Sequence, residues 1–79
     1  MISSAQIRAA RGLLKWTQAT LAHKAGVSAV TLNMIESDSV DPRASTLRFI
    51  EQVLERAGVE FIGTEREGLG VRFRASRRK

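Results

Sequence analysis

The sequence predicts a mainly α domain closed by a C-terminal β-hairpin, and three features carry that prediction. Apolar residues recur at helical spacing through the first 57 positions. Two successive helix signatures meet at a glycine-containing turn around Gly26. Beyond Gly58 the apolar period shortens to two. A chain of 79 residues is one small domain, near the size at which a single core is only just sufficient. With 43% hydrophobic and 27% charged residues, the composition is that of a soluble globular chain. The lack of cysteine rules out disulfides and thiolate metal sites and fits a reducing cytosol. With His23 as the lone histidine, a multi-imidazole metal site within one chain is excluded as well, and no cofactor is expected. No apolar run approaches the roughly 18 residues of a membrane span, and the N-terminus lacks a signal-peptide pattern. The expected location is cytoplasmic and nucleoid-associated, with no membrane partner.

In "SSAQIRAARGLLK", residues 3–15, Ser3 or Ser4 can cap a helix whose apolar face is Ile7, Ala10 and Leu14. Gly12 is a mild cost there. In "WTQATLAHKAG", Thr17 is the N-cap, Trp16 and Leu21 fit a hydrophobic staple, and Gly26 supplies the left-handed residue that ends the helix. The arrangement repeats at once, with Ser28 as N-cap and Val27 with Leu32 as the second staple. Residues 17–36 therefore form a helix-turn-helix unit. Leu21, Ala25, Val27, Leu32 and Ile35 face its shared core, and Ala22 sits where a larger side chain would push the helices apart.

After "SDSVDPR", Ser45 is expected to cap a helix over 46–57 with the apolar face Leu47, Ile50, Val53, Leu54 and Ala57, closed by Gly58. "VEFIG" and "GVRFR" then alternate, placing Val59, Phe61, Val71 and Phe73 on one face. Gly63, Gly68 and Gly70 bracket a turn-rich loop between them. The expected organisation is a helical domain over 1–58, a hairpin over 59–75 and a basic tail over 76–79.

Charge points to an anionic partner. The net charge is +5, yet eight basic and eight acidic residues cancel within 1–67, so the whole excess lies in 68–79. No acid precedes Glu36, which segregates the signs and predicts one positive face.

Residues 11–36 resemble the phage-repressor type of helix-turn-helix, the Cro-like or XRE family of transcriptional regulators. The matching frame is Arg11, then "TQATLAHKAGVS" with Gln18, Leu21, Ala22, Gly26 and Val27, then Leu32, Ile35 and Glu36, with Pro42 in the following loop. The resemblance covers roughly residues 5–57. It implies a four- to five-helix repressor-like DNA-binding bundle whose third helix, 28–36, enters the major groove of double-stranded DNA. It also implies an ion pair between Arg11 and Glu36. The chain departs from the family at "ESDS", where Ser37 and Asp38 stand near a customary glycine, and in its hairpin, which replaces a final helix. The hairpin is assigned to packing and homodimerisation.

Carried over residue by residue, the family's base-contacting positions fall on Ala29, Val30, Thr31, Asn33 and Met34. Ala29, Val30 and the Thr31 methyl suit thymine methyl groups, while Asn33 is a bidentate amide for adenine. Between Ser28 and Glu36 there is no Arg, Lys or Gln, so guanine readout from this helix is not expected and an A/T-leaning half-site is. Gln18 leads the phosphate-contacting candidates, followed by Thr17, Ser28 and Arg43, with Lys15 and Lys24 adding long-range attraction. Trp16 is expected in the core and His23 on an exposed helix face. A two-helix reader of this size touches only a few base pairs, so a sequence-specific regulator bound as a dimer to an inverted-repeat operator is expected, and a repressor because the sequence shows no sensor or activation domain. An antitoxin that blocks a toxin partner and autoregulates its operon stays open beside it. No catalytic residues are expected: there is no paired-carboxylate cleft, no Ser/His/Asp set and no phosphate-cradling glycine motif.

Overall fold

A computed structural model describes residues 1–75; the basic tail expected over 76–79 lies outside the described residues. Four helices and one antiparallel hairpin follow in chain order: α1 (Ser4–Leu14), α2 (Gln18–Ala25), α3 (Ala29–Glu36), α4 (Ala44–Arg56), β1 (Val59–Thr64) and β2 (Gly68–Phe73).

Each helix boundary has a local cause. Ser3 caps α1 in a reciprocal capping box, its hydroxyl accepting from the Gln6 amide while the Gln6 side chain accepts from the Ser3 amide. Thr17 caps α2 by accepting from the Thr20 N–H at 3.1 Å, and Ser28 caps α3 by accepting from the Thr31 N–H at 3.0 Å. Gly26 ends α2 at φ 70°, a left-handed conformation that glycine adopts at little steric cost. Ser45 is not the cap of α4: that helix starts two residues earlier, with Arg43 at the N-cap and no side-chain cap bond. The backbone alone suffices there, because the Arg43 carbonyl accepts the first helical bond from the Leu47 N–H at 3.1 Å and the exposed first turn needs no side-chain partner.

The hairpin pairs Val59 with Phe73, Phe61 with Val71 and Gly63 with Leu69. Gly70 lies in β2 opposite Ile62 as the run GVRFR implies, but the strand starts two residues earlier, at Gly68, so the loop is only Glu65–Glu67. Gly63 explains the tighter turn: it sits at φ 89°, and a Cβ there would lie 1.9 Å from the Gly68 carbonyl oxygen. On the inner face Val59 is buried and Phe61 and Val71 pack against the core, whereas Phe73 at the far end is 53% exposed.

Ile7, Leu21, Leu32, Ile50, Leu54 and Val59 are the large, fully buried side chains, one or more from each helix and from β1. Burying each contributes on the order of 1.5–3 kcal/mol. Ala22 is 3% exposed at the α2–α3 contact, so a larger side chain there has no room. The hairpin docks against α1 as well as α4, with Gln6 Nε2 donating to the Gly70 carbonyl at 2.8 Å. Among the described residues no helix is long and apolar enough to cross a membrane.

Candidate nucleic-acid interface

The α2–α3 pair faces inward through Leu21, Ala22, Ala25, Leu32 and Ile35. Helical geometry then turns the intervening positions of α3 outward. Ala29, Val30, Thr31, Asn33 and Met34 are all exposed, and Val30 is 70% exposed with no packing partner to account for it. Ser28 Oγ donates to Thr31 Oγ1 at 2.9 Å while accepting the Thr31 amide, which leaves the Thr31 hydroxyl proton available.

Glu36, at the end of α3, organises the flank. Arg11 grips its carboxylate through Nε to Oε2 and Nη2 to Oε1, both at 2.8 Å. Gln18 Nε2 donates to the same Oε1 at 3.0 Å, and Arg8 Nη1 donates to the Glu36 carbonyl. Burial alone pushes the Glu36 carboxyl up, but hydrogen bonds from Arg11 and Gln18 and the charges of Arg11 and Arg8 outweigh it. The group is held below the usual carboxylate range. Arg11 Nη1 also donates to the Trp16 carbonyl at 3.0 Å, so one guanidinium ties α1 to both the start of α2 and the end of α3.

Gln18 stands at the first position of α2, next to Thr17, where helix N-terminal amides favour an anion. Its Oε1 receives Asn33 Nδ2 at 3.4 Å. Arg8, Arg11, Gln18, Asn33, Glu36 and Ser37 line a shallow cleft beside α3. Arg43 is exposed at the start of α4. Lys24 sits 5.2 Å from the centre of the Trp16 ring, and that ring is partly buried against the core, so it is no stacking platform.

Asp38 takes the left-handed conformation, φ 60°, near the place where the resembling family has glycine, and its Oδ2 accepts the Ser4 hydroxyl at 3.0 Å. The acid is thereby tied to the N-terminus of α1, whose dipole favours negative charge. Arg8, which lines this cleft, and Gln6, in the first turn of α1, are residues that the sequence analysis does not name. Arg8 lies three residues before Arg11, hence on the same helix face, and Ser3 with Gln6 has capping-box spacing; both signals were available. Among the described residues no cluster of three or more His, Cys, Asp or Glu could hold a metal ion.

The sequence model of the helix-turn-helix family matches residues 7–61. No curated protein matches the chain. The matched span runs from within α1 to the third residue of β1 and contains the α2–α3 unit and the Arg11–Glu36 clamp entire. The chain belongs to the XRE-type helix-turn-helix family of DNA-binding transcriptional regulators.

Proposed function

We propose that the protein is a sequence-specific repressor that binds an inverted-repeat operator as a homodimer, with α3 in the major groove. The observation that carries this is the exposed row Ala29, Val30, Thr31, Asn33 and Met34 on a helix whose opposite face is locked in the core. Ala29, Val30 and Thr31 offer methyl groups to thymine, and Asn33 offers an amide to adenine. Thr17, Gln18, Ser28 and Arg43 contact phosphates and position the helix without specifying sequence. Repression follows from occupancy, which excludes other proteins from the same DNA.

One α3 spans only a few base pairs, so two copies on a symmetric site give the needed discrimination. The hairpin supplies the joint, through edges that can extend into a continuous antiparallel sheet. Selection of bound sequences from random duplex DNA tests the proposal: an A/T-rich palindrome is expected, with preference lost in Asn33→Ala. Neutralising about six phosphates per dimer gives a slope of about −5 in log K against log salt, and a salt-independent affinity overturns the proposal. Sedimentation showing only monomer at tens of micromolar overturns the dimer. A second proposal, an antitoxin, draws on Phe49 of α4, which is 46% exposed and offers an apolar contact to a protein partner. Co-purification of a stoichiometric toxin from the native host separates the two.

A further inference from the structure

We infer that Gln18 is a positioning residue for base recognition: it presets the amide of Asn33 for adenine, with the buried Glu36 carboxylate dictating the orientation. The inference rests on the proposed role of Asn33 as a base reader and adds the device that aims it.

The polarity of each group in the chain is forced by the one before. A carboxylate only accepts hydrogen bonds, and Glu36, with a side chain 2% exposed, already takes two from Arg11. Gln18 must therefore turn its NH2 toward Glu36 Oε1, which it meets at 3.0 Å. That turns Gln18 Oε1 toward α3, and an acceptor there admits only the NH2 side of Asn33, found at 3.4 Å. An amide NH2 carries two hydrogens. One serves Gln18. The other, together with Oδ1, is the donor–acceptor pair that matches N7 and N6 of adenine. A flipped Asn33 amide presents the same groups in reversed order and sets two carbonyl oxygens against each other. Held in advance, Asn33 loses less freedom on meeting the base than a side chain free to rotate.

A pure phosphate ligand at position 18 makes a different prediction. Phosphate contacts carry no sequence information, so their loss weakens all sites alike. The test measures binding of the full chain to four duplexes that differ only at the base pair whose preference Asn33→Ala abolishes. Gln18→Met keeps side-chain length and removes the amide. It is expected to lower the adenine preference by about 3- to 10-fold, a share of what a bidentate pair supplies, and to add nothing once Asn33 is Ala. If Gln18→Met weakens all four duplexes equally while Asn33→Ala removes the preference, the positioning role is wrong and Asn33 still reads the base. If Asn33→Ala leaves the preference intact, the base-reading assignment itself fails, and the positioning role with it. A measurement without DNA stands beside these: the Asn33 side-chain amide resonances of the free protein should shift in Gln18→Met. Unchanged resonances in a variant that melts as the parent does overturn the inference. Gln18→Ala serves for both measurements if Gln18→Met does not fold.

Discussion

Arg11 and Glu36 meet through two hydrogen bonds of 2.8 Å, with the carboxylate side chain 2% exposed and the guanidinium 21%. This pair joins α1 to the end of α3, so it sets the angle at which the exposed row of α3 leaves the core. Removing one partner strands the other in a site built for its opposite charge. Glu36→Ala is therefore expected to cost about 2–4 kcal/mol, measured by chemical denaturation at pH 7. The contribution also depends on pH with a definite sign. The folded carboxyl titrates below its ordinary value of 4.5, so the unfolded chain binds more protons between the two values. The stabilisation is fully present above that ordinary value and is lost as pH falls through the folded one. The gap between parent and Glu36→Ala should narrow on acidification, and a constant gap from pH 7 to pH 3 would falsify the assignment.

Among the described residues two non-glycine residues hold left-handed backbone, Lys15 at φ 58° and Asp38 at φ 60°, and they are predicted to respond differently to glycine. Lys15 is an exposed C-cap whose N–H closes α1 onto the Arg11 and Gly12 carbonyls. Glycine relieves its Cβ strain, and Lys15→Gly should stabilise by about 0.5–1 kcal/mol. Asp38 tolerates the conformation better and holds the Ser4 hydroxyl. Asp38→Gly trades relief for a lost hydrogen bond, so its change should stay within about 0.5 kcal/mol of zero. Equal shifts in the two melting temperatures would remove the distinction.

What sequence made legible were the features with a local cause. Thr17, Gly26 and Ser28 act within a few residues of where they stand, and their roles follow from spacing alone. The start of α4 is not legible because serine is the stronger capping signal, while the backbone begins the helix after an arginine with no side-chain cap bond. β2 begins at Gly68, two residues before the run GVRFR that alternation alone marks as strand, because glycine counts as turn punctuation and only the pairing with Thr64 shows Gly68 in the strand. The Arg11–Glu36 pair came from resemblance, since nothing in the spacing of residues 25 apart brings them together. Sequence alone gives Gln18 and Asn33 different jobs, phosphate and base. Their contact depends on how two helices cross and on which way one amide faces, and neither is written in composition or period.

The hairpin turn depends on Gly63 more than on any side chain. A methyl group there would meet the Gly68 carbonyl at 1.9 Å, on a backbone already at φ 89°. Gly63→Ala must open the strand pairing or move it, and a loss of about 2–3 kcal/mol is expected. The atoms nearest a Cβ at this position all belong to Gly68 and Leu69 of β2, so the effect falls first on the hairpin: the melting temperature should fall while α-helical circular dichroism at low temperature persists. If the hairpin also carries the dimer, sedimentation of Gly63→Ala should shift toward monomer at concentrations where the parent is paired.

Val30 is the sharpest test of what α3 is for. At 70% exposure it adds almost nothing to the core, so Val30→Ala should change stability by less than about 0.5 kcal/mol. If its methyl groups pack against thymine, the same substitution should weaken binding to the preferred site by about 1 kcal/mol and relax selection at one base pair. The converse substitution is more demanding. The helix lacks Arg, Lys and Gln between Ser28 and Glu36, so it has no long donor that can meet the O6 and N7 edge of guanine. Val30→Arg places a guanidinium at the more exposed of the row's two large apolar positions, Val30 and Met34. The selected sequence should then move from an A/T pair to guanine at that step, and the salt slope should steepen by about 1 for each added phosphate or groove charge contact per chain. A Val30→Arg protein that binds more tightly to all DNA with its base preference unchanged would show position 30 to face the backbone, not the floor of the groove.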